Sequence, residues 1–177
     1  MKYFDALTKS MNWLGEKKDT LFIGQAVNCP GTALFNTIKN VPEEKRIELP
    51  VFEETQLGMS SGLCLSGYRP ISIFPRWNFL LCAASQLVNH LDKYPIMSDY
   101  KFIPNPIIRT AVGSERPLFP GHQHIGNMSN GFREILTSIE IIELKETDEI
   151  FEAYKYAYEN ANKAFLIVEF ADFYNEK

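Results

Sequence analysis

Several things are scarce in this sequence, and each scarcity excludes something. There are three cysteines, Cys29, Cys64 and Cys82, odd in number, far apart and never in a CxxC pair. A disulfide scaffold or a zinc ribbon needs paired or closely spaced thiols, so neither is expected. No run of about 18 uncharged apolar residues occurs, and Lys2, Asp5 and Lys9 break up the start of the chain, so neither a membrane span nor a secretory signal is expected. The reading is a cytoplasmic protein. Lys and Arg total 18 against 22 Asp and Glu, a net charge of −4 with no basic cluster. A grip on nucleic acid or an acidic membrane surface would need the opposite balance. Internal repeats, low-complexity tracts and linker-like stretches are also missing, so residues 1–177 are expected to form one domain.

Core material is plentiful: 45% of residues are hydrophobic and 13% aromatic, which excludes disorder as the main state. Apolar residues at Phe4, Leu7, Met11 and Leu14 recur at helical spacing and predict an N-terminal helix within residues 1–18, with Gly15 as its stop. Short apolar runs at 21–23, 71–74, 107–112, 139–142 and 165–168 predict buried strands, with a weaker one at 46–49. Helical patterns at 53–66, 78–94 and 147–163 lie between them, the last with Ile150, Phe151, Tyr154, Ala157, Tyr158 and Ala161 on one stripe. Such alternation implies an α/β domain with a mainly parallel sheet and helices on both faces, because parallel strands need crossover connections. Ligands of such domains gather at the carboxyl ends of the strands.

Four places could carry chemistry. The turn from Gly24 to Gly31 contains glycine but matches neither phosphate-binding motif, so a nucleotide site is not expected there. Glu53 and Glu54 open a helical segment rich in small residues, where they could simply complement the positive end of the helix dipole. The segment from Gly113 to Gly131, with Pro117, Pro120, His122 and His124, is a long interruption of the pattern, and long loops in compact domains commonly carry function. Its two histidines have no third ligand at recognisable spacing, so no metal site is expected. Phe74, Trp77 and Phe79 cluster where a strand gives way to a helix, either as core or as a face for a flat heterocycle.

These features together resemble a known family. The block from Glu48-Leu49-Pro50-Val51-Phe52-Glu53 through Gly67-Tyr68-Arg69-Pro70 resembles the proline, glutamate and Gly-rich helix of the pyrimidine-binding domain of thiamine-diphosphate-dependent enzymes. The likeness is greatest to the β subunit of the 2-oxo acid (pyruvate or branched-chain) dehydrogenases and extends more distantly to transketolase. Residues 78–90 are similar to the helix that follows in those subunits. Residues 107–113 and Gly121-His122-Gln123-His124 are similar to the next strand and its histidine loop, read here as an active-site loop over 113–131. The blocks span roughly residues 20 to 170.

The resemblance implies thiamine diphosphate as cofactor and a role for each matched residue. Glu53 would hydrogen-bond N1′ of the aminopyrimidine, which promotes ylid formation, and this needs a carboxyl sheltered from bulk water. Phe79 would stack on the pyrimidine ring, and Cys82, one helical turn on, would face the same pocket. His124 would face the substrate, with His122 as its substitute should the register differ by two. The sequence departs from the family pattern at Gln25-Ala26, where an acidic pair is usual, and at 114–119, where a Gly-rich stretch is usual.

No Gly-Asp-Gly followed by paired asparagines is present, so the diphosphate and its Mg2+ are expected to be bound by an α-like partner chain. The C-terminal domain of the dehydrogenase β subunits is likewise not expected in these residues. The implied protein is the β-like half of a two-chain enzyme acting on a 2-oxo acid or ketose-like donor, a homodimer of this chain within a heterotetramer. The alternative is a non-catalytic assembly or regulatory subunit of the same fold.

Overall fold

The computed structural model describes residues 1–176. Helix α1 (Tyr3–Gly15) and strand β1 (Thr20–Gly24) are followed by α2 (Ala33–Ile38), β2 (Arg46–Glu48), α3 (Glu53–Leu65), β3 (Arg69–Ile73) and α4 (Trp77–Leu80). Then come α5 (Tyr94–Met97), β4 (Ile107–Val112), α6 (Ser129–Ile135), β5 (Ile139–Glu143), α7 (Glu149–Glu159), β6 (Ala164–Phe170) and α8 (Phe173–Glu176). The six strands form one sheet in the order β2-β1-β3-β4-β6-β5, and each neighbouring pair is parallel. The expected α/β architecture is therefore present, with a sheet that is parallel throughout.

Because side chains alternate across a strand, each central strand feeds two cores. Ile107 joins Tyr3, Leu7, Met11, Leu14, Ile38 and Tyr154 on the face covered by α1, α2 and α7. Ile108 joins Leu57, Trp77, Leu80 and Phe132 on the face covered by α3, α4 and α6. Within α1, Tyr3 rather than Phe4 completes the buried stripe, since its hydroxyl finds a partner in the Leu144 carbonyl at 2.8 Å. Arg69, in the Gly-x-Arg-Pro stretch, caps the carboxyl end of α7: its guanidinium donates to the carbonyls of Ala157, Tyr158 and Asn160, which the helix leaves unpaired.

Some expected boundaries are corrected. The continuous helix at 78–94 is instead α4, a 3₁₀ turn at Leu81–Ala83 and a π-helical stretch at Gln86–Leu91. The wide turn closes with Asp92 N–H donating to Leu87 O, and Asp92 itself is fixed by Thr137 and Ser138 at the entrance to β5. The helix expected over 147–163 ends at Glu159, and Ala161 lies exposed beyond it. The loop read as 113–131 ends at residue 128, because α6 begins at Ser129, where Asn127 Oδ1 accepts the first amide at 2.9 Å. The short helix α2 was missed: Pro30, Gly31 and the scattered apolar residues gave no periodic signal, yet Thr32 caps it by accepting from Phe35 N–H.

A buried ion pair sits in the core beneath α1, α2 and α7. Arg109 of β4 and Glu169 of β6 are both fully buried, with Arg109 Nη2 donating to Glu169 Oε2 at 3.0 Å and its Nε to Oε1. Arg109 Nη1 donates to Thr37 Oγ1 at 2.8 Å, and the hydroxyls of Tyr154 and Tyr174 donate to Glu169 at 2.7 and 2.6 Å. Burial and then the Glu169 charge push both tyrosine hydroxyls well above their ordinary range, so they remain donors. Removing one member strands the other charge: Arg109→Leu should cost about 3–5 kcal/mol in urea denaturation. A wild-type midpoint in that variant would show that the pair holds nothing together.

Asp92 shows the opposite balance. Burial would raise its pKa, but hydrogen bonds from Lys93, Ser138 and Thr137 outweigh it and hold the carboxyl down at about 2, against an ordinary 3.8. A depressed folded pKa contributes stability above the unfolded value that is lost as pH falls through the folded one. The stability advantage of wild type over Asp92→Asn should therefore be full above about pH 4 and shrink as pH drops towards 2. A difference that stays flat across that window in urea midpoints would refute this.

Candidate functional site

A parallel sheet sends every strand-to-helix connection out of the same edge, and all the residues singled out from the sequence lie on such connections. Gln25 follows β1, Glu53 begins the helix after β2, Phe79 follows β3 and His124 follows β4. The edge is tightened at one point. A Cβ on Gly24 would lie 2.4 Å from the Ile73 carbonyl oxygen, so only glycine lets β1 end so close to β3.

The side-chain amide of Gln56 pins helix α3 to this edge. Gln56 Nε2 lies within hydrogen-bonding distance of Ile73 O at 2.9 Å, Ser72 Oγ at 3.2 Å and Ile23 O at 3.4 Å, so it spans the ends of β1 and β3. Small residues let the helix sink inward. Ser60 and Ser61 are buried and return their hydroxyls to the helix carbonyls of Gln56 and Leu57. Both expected acidic residues stand in the first turn, but they differ in placement: Glu54 is exposed, whereas Glu53 is only 8% exposed. Helix-dipole complementarity explains Glu54 fully; it does not require a buried carboxyl.

Glu53 has a local partner in the turn after β1. Gln25 Nε2 donates to Glu53 Oε1 at 3.2 Å. The turn that presents Gln25 is shaped by Glu48, whose two carboxylate oxygens accept from Ala26 N–H and Asn28 N–H, each at 2.7 Å. Ala26 there adopts a positive φ of 56°, an uncommon conformation that these bonds hold in place. Arg46 adds a bond to Val27 O at 3.2 Å and receives one from Asn28 Nδ2 at its own carbonyl, also 3.2 Å.

The second half of the site joins Phe79 and His124. Their rings are 5.6 Å apart at an angle of 53°, and both side chains are half-buried. His124 stands in a 3₁₀ turn, His122–His124, and its Nδ1 is buried with no partner among the described residues, while Nε2 is 3.2 Å from Gln123 Nε2. His122 is exposed and packs edge-on against Phe119 at 5.1 Å, away from Phe79. The structure thus brings Phe79 and His124 together and leaves His122 apart. Cys82 is exposed, its Sγ 4.0 Å from the Asn78 carbonyl one turn back. Among the described residues no group of three or more His, Cys, Asp and Glu could hold a metal ion. No helix among them is long and apolar enough to cross a membrane.

Sequence reasoning gave no role to Glu48 or Arg76. The signal available for Glu48 was a carboxylate at the end of a short strand facing a glycine-bounded turn; for Arg76 it was a lone arginine between Pro75 and an aromatic cluster. Neither signal identifies which distant backbone groups need a partner.

Neither a family model nor a curated protein matches this sequence. Solved structures do match its fold. One is a split-gene transketolase described as an inactive beta4 tetramer, with a TM-score of 0.72 and 16% identity over 96% of this chain and 51% of that one. Another is a proposed thiamin diphosphate-dependent enzyme from Mycobacterium smegmatis, with a TM-score of 0.65 and 14% identity over 98% of this chain and 31% of that one. The chain therefore spans about half the length of the first structure and a third of the second, and what it shares with them at this identity is the fold.

Freeing the amides of Ala26 and Asn28 should loosen the turn that carries Gln25. Glu48→Ala is expected to cost about 1–3 kcal/mol and to speed amide exchange at residues 25–28 while the sheet stays protected. Unchanged exchange in that turn would remove Glu48 from this role.

Proposed function

We propose that this chain is the pyrimidine-binding half of a two-chain thiamine-diphosphate-dependent enzyme, with Glu53 as the group that activates the cofactor. The observation that carries the reading is the burial of Glu53 in the first turn of α3, at the edge where Phe79 and His124 also stand. A carboxyl used only at a helix end or on a scaffold surface gains nothing from burial, which carries a desolvation cost.

The chain's own groups fit the cofactor. Glu53 has a single amide partner in Gln25, which leaves acceptor capacity for a ring nitrogen, and His124 Nδ1 is a buried polar atom still lacking a partner. Thiamine diphosphate would, when bound, supply a carbon nucleophile for a carbonyl and a sink for the negative charge left by bond cleavage beside it. Glu53 holds a proton at N1′ of the aminopyrimidine. Gln25 orients the Glu53 carboxyl for that contact. Phe79 offers a ring face to the pyrimidine, and His124 donates to, or takes a proton from, the substrate oxygen. Cys82, exposed in this chain, is assigned to the rim of the pocket, where a partner surface could cover it.

The diphosphate and Mg2+ are assigned to an α-like partner chain, with a homodimer of this chain at the centre of a heterotetramer. The likeness to one chain of a split transketolase supports such a division of labour. The substrate is a 2-oxo acid or a ketose-like donor. The block around Glu53 favours the β subunits of the 2-oxo acid dehydrogenases as the functional relatives.

The test is to purify the tagged chain from its native host with whatever polypeptide accompanies it and to titrate the assembly with thiamine diphosphate and Mg2+ by calorimetry. Binding that depends on the second polypeptide is expected. Glu53→Gln should leave assembly intact and lower turnover of a 2-oxo acid or ketose phosphate by at least about 100-fold. Wild-type turnover in that variant, or an assembly that never binds the cofactor, would overturn the proposal and leave a non-catalytic subunit as the reading.

A further inference from the structure

The turn that carries Phe79 and the loop that carries His124 meet at Arg76. This residue precedes α4, and its carbonyl accepts from Phe79 N–H at 3.1 Å and Leu80 N–H at 3.3 Å, so its backbone starts the turn that presents Phe79. Its side chain reaches across to the loop after β4. Nη1 donates to Gly113 O at 2.7 Å and, over a longer 3.4 Å, to His124 O. Gly113 is the first residue of that loop and His124 the residue with chemistry to offer, so one guanidinium nitrogen closes the loop on itself.

The rest of the loop is anchored elsewhere. Asp172, just after β6, accepts from Glu115 N–H and Arg116 N–H with one oxygen, each at 2.9 Å. His124 spends its own N–H within the loop, on Gly121 O at 3.0 Å. Three residues on, Asn127 Nδ2 donates to Glu143 Oε1 of β5 at 2.8 Å, so the loop is tied at that end as well, and Arg76 is the side chain that bonds His124 itself to the elements beneath. A guanidinium suits this task, because its N–H groups point in fixed directions and a charged donor strengthens each bond to a carbonyl.

We propose that Arg76 is a positioning residue for His124: it holds the loop so that the imidazole rests against Phe79 with Nδ1 turned inward. The proposal rests on the reading of His124 as the group that meets the substrate. Its physical content is preorganisation. A histidine on an untethered loop would have to be ordered at each turnover, whereas this one is ordered beforehand.

The experiment uses the full chain with labelled histidine, in wild type, Arg76→Gln, Arg76→Lys and Phe79→Leu. The His124 ring protons of wild type feel the Phe79 ring. In Arg76→Gln they should move to the positions seen in Phe79→Leu, while Arg76→Lys recovers part of the difference. Amide exchange at His124 should rise about tenfold in Arg76→Gln, with the far-ultraviolet spectrum unchanged. If the glutamine variant does not fold, Arg76→Met, which keeps the apolar stem, takes its place in both measurements. In the two-chain assembly the same variant should lower kcat/KM by about 100-fold while thiamine diphosphate affinity stays at the wild-type value. Unmoved His124 ring protons would overturn the proposal whatever cofactor binds. The ring measurement needs no cofactor, so failure of the cofactor reading would show separately, as full turnover in Glu53→Gln.

Discussion

Parallel pairing is the constraint from which the rest follows. A strand whose neighbour runs the same way cannot return by a tight turn, so the chain must cross over the sheet each time and emerge again at the same edge. Residues far apart in sequence, Gln25, Glu53, Phe79 and His124, are thereby delivered to one edge without any direct contact among most of them. The sheet must in turn be stiff where they emerge. Gln56 bridges β1 and β3 there, and the Arg109–Glu169 pair joins β4 to β6 within the sheet.

The edge is assembled from small polar devices rather than from one deep cavity. Glu48 shapes the turn that carries Gln25, Gln25 meets Glu53, Arg76 ties the Phe79 turn to the His124 loop, and Asp172 secures the outer part of that loop. All but the Gln25–Glu53 pair join a side chain to backbone groups that a sharp turn leaves unsatisfied, which is the accounting any buried or strained loop must meet.

Much of the architecture was legible from apolar spacing. Strand runs at 107–112 and 139–142 and the helix at 53–66 were found within a residue or so, because a buried parallel strand and a small-residue helix leave local patterns that tertiary context reinforces. The helix over 78–94 was not legible as it stands. Its spacing is helical, but the stretch winds as a π turn that ends at Asp92, whose partners Thr137 and Ser138 lie more than forty residues away. For the site, the resemblance selected Glu53, Phe79 and His124 together, and the rings of the last two do meet. Cys82 followed from the same helical turn but faces outward in this chain.

The sequence by itself determined where the strands and the longer helices at 53–66 and 147–163 fall, that the sheet is mainly parallel, and which carboxylate, aromatic and histidine are candidates, because these depend on side-chain type and spacing along the chain. Only the tertiary structure decided that Glu53 rather than Glu54 is buried, that His124 rather than His122 meets Phe79, and that Arg76 joins the two loops. Those outcomes depend on which backbone groups and rings come together across the fold, and local spacing carries no record of that.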